Sequence, residues 1–264
     1  MKRVVKNILP HFICIVCLIA VSVIYFYPIL FDKGIEQSDI SQFKGMSKQI
    51  VDHRDKFNEE PYWLDNAFLG MPSFQVSARY PYDILRVIDL SIRFLPRPAD
   101  YLFLYLLSFY LLIISLKINY RFALLGALAF GFSTYLIIIL GVGHNTKALA
   151  IGYLPLVIMG VIMILNKHFL KGFLITSLAL GLQIHSNHYQ MTYYTLIMIM
   201  VIFLFYFFDY LKKNNLKIFF KIIVIFISSS IIALMLNASA LLATKEYSEF
   251  RTRSKSEITI NPDG

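Results

Sequence analysis

Charge is what this sequence has least of. Asp, Glu, Lys and Arg make up 16% of the chain and hydrophobic residues 58%, with a mean hydropathy of +0.64, where an average soluble domain is about a quarter charged. That balance excludes a soluble globular domain and implies a membrane protein. Cysteine is nearly absent as well. Cys14 and Cys17 both lie inside the first apolar run, which excludes a disulfide framework or a zinc-ribbon spacing and leaves them as small packing residues. The basic leader Met1-Lys2-Arg3 to Lys6 resembles that of a signal peptide, yet no small-residue cleavage site follows. The run from Ile8 to Phe31 is longer than a signal core and ends in Tyr25-Phe26-Tyr27-Pro28, so it is predicted to stay as a signal anchor. No internal repeat and no low-complexity linker divides the chain, which reads as one transmembrane domain over 1–264.

What is present is a series of seven apolar stretches, 8–31, 99–116, 122–141, 148–165, 169–186, 190–210 and 218–243. Each approaches the roughly 20 residues that a span requires. The predicted fold is therefore all-α, a polytopic bundle of about seven membrane helices. One unbroken helix over 169–210 would be about 60 Å long, too long for a bilayer. A tight hairpin is predicted there even though it contains neither Gly nor Pro.

The formal net charge of +9 reads as topology, not as a nucleic-acid surface. A cytoplasmic N-terminus places eleven Lys and Arg in four short inner segments: Lys2, Arg3 and Lys6; Lys117 and Arg121; Lys167 and Lys171; Lys212, Lys213, Lys217 and Lys221. The short outer connections carry only Lys147. Of sixteen acidic residues, only Asp209 falls on the inner side. The N-terminus is expected on the cytoplasmic side of the membrane, with the loop 32–98 and the tail 244–264 outside.

The loop 32–98 has structure of its own. Phe43, Met46, Ile50 and Phe57 recur at helical intervals with Lys44, Lys48, Asp52 and Asp55 between them, which predicts an amphipathic helix on the membrane surface. A second such helix is predicted through Ile84, Leu85, Ile88, Ile92 and Leu95, just before Pro96 and Pro98. Between the two, Asn66 to Ser73 holds the Gly and Pro of an ordered turn.

Two polar knots interrupt the apolar runs on the outer side, Gly143-His144-Asn145-Thr146-Lys147 and His185-Ser186-Asn187-His188-Tyr189-Gln190. His144 and Lys147 are three apart at the start of a span, where backbone N–H groups are unpaired and favour an anion such as phosphate. A polar cap with a snorkelling lysine accounts for the same residues. His185, Asn187, His188 and Gln190 suit either a substrate surface or a self-satisfied interfacial hairpin. Three histidines with an outer carboxylate have the donor types for zinc, although His-x-x-His spacing alone is not diagnostic. Asp39, where the chain leaves the first span, suits a general base, a ligand for a divalent cation, or the cap of the helix that follows. Glu246 and Tyr247 follow the last span and are candidates for the same surface.

The segments SDISQFKGMSKQIVDHRDKFNEEPYWLDNAFLGMPSFQ, GVGHNTKALAIGYLPLVIMG, LQIHSNHYQMTYY and ATKEYSEFRTRSKSEIT, in that order, resemble the YfhO family of bacterial membrane proteins. Through it the chain is similar to the GT-C class of glycosyltransferases, which use polyprenyl-phosphate sugars. The resemblance implies a functional acidic residue soon after the first span, which Asp39 matches, and juxtamembrane helices in the first outer loop. No Asp-x-Asp pair accompanies Asp39. The family is also longer, so the chain reads as an N-terminal portion ending at Asn261-Pro262-Asp263-Gly264.

The expected function is transfer of a sugar from a polyprenyl phosphate to a glycan or lipid acceptor of the cell envelope at the outer face. Asp39 is the expected catalytic residue, and His144, Asn145, Lys147, His185, Asn187, His188, Gln190, Glu246 and Tyr247 the expected substrate and phosphate contacts. Whether a divalent metal takes part is left open. A lipid-linked sugar flippase and a non-catalytic membrane subunit are the alternatives. Transport is disfavoured because no Asp, Glu, Lys or Arg lies near the centre of a predicted span.

Overall fold

The structure, a computed structural model, describes residues 2–67 and 69–248. Its elements in chain order are α1 (Lys2–Tyr25), α2 (Ser38–Phe57), β1 (Trp63–Leu64), β2 (Met71–Pro72), α3 (Ile84–Ile92), α4 (Ala99–Ser115), α5 (Tyr120–Gly131), α6 (Thr134–Val142), α7 (Asn145–Leu165), α8 (Phe169–His185), α9 (Tyr189–Lys212), α10 (Leu216–Leu236) and α11 (Ala238–Ser248). They fall into two compact units, Met1–Asp39 with Ile84–Leu236, and Ile40–Asp83 with Asn237–Gly264.

All seven apolar stretches are helical. Four helices, α1, α7, α9 and α10, are long and apolar enough to cross a membrane, and α5 with α6 makes a fifth, broken span bent by 51°. The shorter apolar helices α4 and α8 have 17 residues each, the low end of the range for a span. The protein is thus an all-α membrane helical bundle.

Three of the seven stretches are interrupted where unbroken runs are predicted. In 122–141 the helix tightens, with Phe132 N–H donating to Leu128 O and Ser133 N–H to Phe130 O. Ser133 then turns extended, φ −60° and ψ 138°, to start α6. In 8–31 α1 stops at Tyr25 and a short 3-10 turn, Tyr27–Phe31, follows. Pro28 near its start disfavours helix for the residue before it. In 218–243 the break falls at Asn237, a polar residue only 5% exposed.

Within the first unit α4 and α7 form the centre. The apolar window of α7 is 72% buried, against 17% for α1 and 22% for α9 and α10, so α7 faces protein and the other three largely face lipid. Tyr101, Leu102, Tyr105 and Leu106 of α4 are buried. They pack with Cys14 and Leu18 of α1 and with Ala123 and Ala127 of α5. His11 of α1 and the hydroxyl of Tyr110 on α4 are hydrogen-bonded at 2.7 Å. Between α7 and α8 the backbones themselves come close. A Cβ at Gly160 would lie 2.7 Å from the backbone N of Thr176, and one at Gly172 would lie 2.7 Å from that of Ile164. Small residues permit this approach, which is how helices gain packing energy when lipid removes the hydrophobic drive.

In the second unit the loop is ordered by polar side chains reaching backbone. β1 and β2 pair antiparallel with Trp63 opposite Pro72. Gly70 turns the hairpin at φ 114°, its α-carbon so close to the Trp63 ring that a Cβ would lie 2.9 Å from it. The Gln49 side chain of α2 accepts the N–H groups of Asp65 and Asn66, at 3.0 and 3.2 Å. Arg54 donates to both carboxylate oxygens of Glu60, at 2.6 and 2.5 Å, and also to Ser77 O. α2 and α3 thus occupy the two helical stretches predicted for the loop.

Candidate functional site

The two polar knots meet at one end of the first unit, where α6 gives way to α7 and α8 to α9. Both turns use a left-handed residue. Gly143 has φ 91° and Asn187 φ 58°, and Asn tolerates that conformation better than other residues with a Cβ. This is how the hairpin His185 to Gln190 closes without Gly or Pro. The Asn187 N–H donates to Ile184 O at 3.0 Å and the Ser186 hydroxyl to Gln183 O at 2.6 Å.

Asp39 and His144 form the contact that defines the site, the Asp39 carboxylate against Nδ1 of the imidazole. Asp39 stands in the first turn of α2, and Gln37 just before it donates to Leu140 O at 2.5 Å, fixing the chain's exit from the first span against α6. His144 precedes α7, whose Asn145 N–H is bonded to Gly143 O at 2.8 Å. The Thr146 hydroxyl and Nδ1 of His188 lie 3.5 Å apart, joining the second knot to the first. The Lys147 ammonium sits 5.1 Å from the ring centre of Tyr135. Burial, then the charges of Lys147 and His144, hold the His188 imidazole below the usual histidine range, so it is neutral at neutral pH. Its Nε2 is buried and has no hydrogen-bond partner among the described residues.

The arrangement is one carboxylate beside three basic side chains, half-open to solvent: Asp39 is 34% exposed and His144 48%. It sets an acceptor carboxylate, Asp39, beside the donor side chains of His144 and Lys147. His185 lies at the end of α8, and Gln190 donates to the Tyr194 hydroxyl at 2.8 Å along α9. Glu246 and Tyr247 belong to α11 in the second unit, where Tyr247 packs edge-on against Phe74. Among the described residues no group of three or more His, Cys, Asp or Glu is placed to hold a metal ion. Among the described residues Asp39 is the only carboxylate of the cluster, and it is paired with His144.

The structure adds a buried ionic network that the sequence reading missed. Arg93 donates to both oxygens of Asp89 and, at 2.5 Å, to Asp100, while the Tyr153 hydroxyl donates to Asp89 at 2.6 Å. It ties α3 to the start of α4 and to α7 at Tyr153, more than two turns below its polar end. The i,i+4 pairing of Asp89 with Arg93 was the available signal.

The sequence model described as bacterial membrane protein YfhO matches residues 101–261. The chain belongs to the YfhO family. No curated protein and no solved structure matches it. The matched stretch contains both knots and reaches past Tyr247, whereas Asp39 and the loop 32–98 precede it. The matched stretch thus holds the basic side chains of the candidate site, and Asp39 lies before it.

Proposed function

We propose that this YfhO protein transfers a sugar from a polyprenyl phosphate to a hydroxyl of a cell-envelope glycan or lipid at the outer membrane face. The observation that carries the reading is the Asp39–His144 pair set beside Lys147 and His188. In the proposed step the acceptor oxygen attacks the anomeric carbon and loses its proton to Asp39. The bond from that carbon to the phosphate oxygen breaks, and the polyprenyl phosphate leaves with the electron pair. His144 and Lys147 stabilise the departing charge. Phosphate is a good leaving group, so the second carboxylate of a glycosidase is not required, and one displacement inverts the sugar carbon.

The reading is supported by the place of the polar site at the end of apolar helices, where a lipid-borne phosphate would arrive. It is tested by incubating the purified chain with polyprenyl-phosphate sugars and candidate acceptors beside Asp39→Asn. Loss of at least two decades of rate in the variant is expected for a general base. Equal product from both removes Asp39 from the mechanism, and sugar movement across vesicles without transfer replaces this reading with a flippase.

A further inference from the structure

At the opposite end of the first unit, three helices leave a recess of about 440 Å³ lined by Ser115, Leu116, Lys117, Ile162, Asn166, Ile202 and Tyr206. Its polar rim is rich in donors, the ammonium of Lys117, the amide of Asn166 and the hydroxyl of Tyr206, and no carboxylate lines it. Leu116, Ile162 and Ile202 make the floor apolar. Lys117 is held just beyond the end of α4 with φ 62°, its N–H donating to Ile114 O at 2.9 Å. Its ammonium has no ion-pair or ring partner among the described residues, whereas Lys213 pairs with Asp209 at 2.7 Å and Lys221 lies over the Phe169 ring at 4.6 Å.

The surroundings select the ligand's charge and its source. Among the described residues, Lys117, Arg121, Lys167, Lys171, Lys212, Lys213, Lys217 and Lys221 share this end with only Asp209 to oppose them, a field that concentrates anions. The recess opens beside α9, whose Val201 and Phe205 are 59% and 72% exposed and are expected to face acyl chains. A soluble phosphate would satisfy the donors and leave the apolar floor bare, while a phospholipid covers both.

We infer that this recess binds the headgroup of an anionic phospholipid, the phosphate on Lys117 with Asn166 and Tyr206, the glycerol against Ile162 and Ile202. The inference is independent of the transferase reading, since it uses other residues at the other end of the bundle. Basic pockets between membrane helices commonly take such lipids.

The test is native mass spectrometry of the full chain released from nanodiscs of equimolar phosphatidylglycerol and phosphatidylcholine. Wild type should retain phosphatidylglycerol several-fold over phosphatidylcholine, with Lys117→Gln cutting that preference about fivefold, as for loss of one surface charge. Lys117→Arg should keep it, and Lys171→Gln, outside the recess, should lower it by less than Lys117→Gln does. Thermal unfolding identifies a variant that has not folded, in which case Asn166→Ala decides by the same ratio. No preference in wild type, an unchanged preference in folded Lys117→Gln, or displacement of the lipid by excess inorganic phosphate would overturn the assignment.

Discussion

Arg54 and Glu60 show how a single pair can order a loop. Burial pushes the Glu60 carboxyl up, but the hydrogen bonds from Arg54 and from the Arg79 N–H, with both guanidinium charges, outweigh it and hold the group below its usual value of 4.5. A folded-state value that is depressed means the unfolded chain takes up the proton first as pH falls. The pair's stabilisation is therefore complete above about 4.5 and is lost as pH drops through the folded value. Arg54→Gln should cost about 2 kcal/mol at neutral pH, the scale of hydrogen bonds to a charged group. Hydrogen exchange over residues 58–79 should then show the gap between variant and wild type closing in acid. A gap that persists with Glu60 protonated would mean that Arg54 acts through Ser77 O and packing alone.

At the scale of elements, the closest approach is between α7 and α8. Gly160→Ala places a methyl 2.7 Å from the Thr176 backbone N, so the helices must part, at about 1–3 kcal/mol as for other overpacked cores. Gly45→Ala in α2 meets nothing within 4 Å, and removing a helical glycine should stabilise by up to about 1 kcal/mol. Thermal unfolding in detergent separates the two, and a Gly160→Ala protein that melts with wild type would refute the close-packed interface. Hydropathy made the seven helices and the two loop helices legible, because an apolar run of span length and a 3.6-residue stripe each have one favoured structure. It was silent on the 51° bend between α5 and α6, since Leu, Ile and Phe on both sides of Ser133 are apolar whatever their direction. The Asp89–Arg93–Asp100–Tyr153 network was hidden for a different reason. Asp89 and Arg93 fit the polar stripe of an amphipathic helix, and only folding brings Tyr153, sixty-four residues on, against them.

For the whole molecule, the distribution of charge sorts the two ends. Among the described residues, one end gathers Asp39, His144, Lys147 and His188, and the other gathers eight basic residues with one acid. Asp39 and His144 could each be singled out in the sequence, the one just after a span and the other at the start of one, but their direct pairing could not, since the two are 105 positions and four helices apart. Only the antiparallel run of α6, α7, α8 and α9 returns both knots to the level at which α1 ends. If the basic end is cytoplasmic, as the positive-inside rule predicts from the distribution of Lys and Arg, the carboxylate and the histidines open to the outer face. In a chain carrying Cys14→Ala and Cys17→Ala, a cysteine introduced by Asn145→Cys should react with an impermeant maleimide added to intact cells. One introduced by Lys217→Cys should react only after the membrane is opened. The reverse pattern would put the site on the cytoplasmic side, where an acceptor of the outer envelope is absent, and the proposed transfer would fall with it.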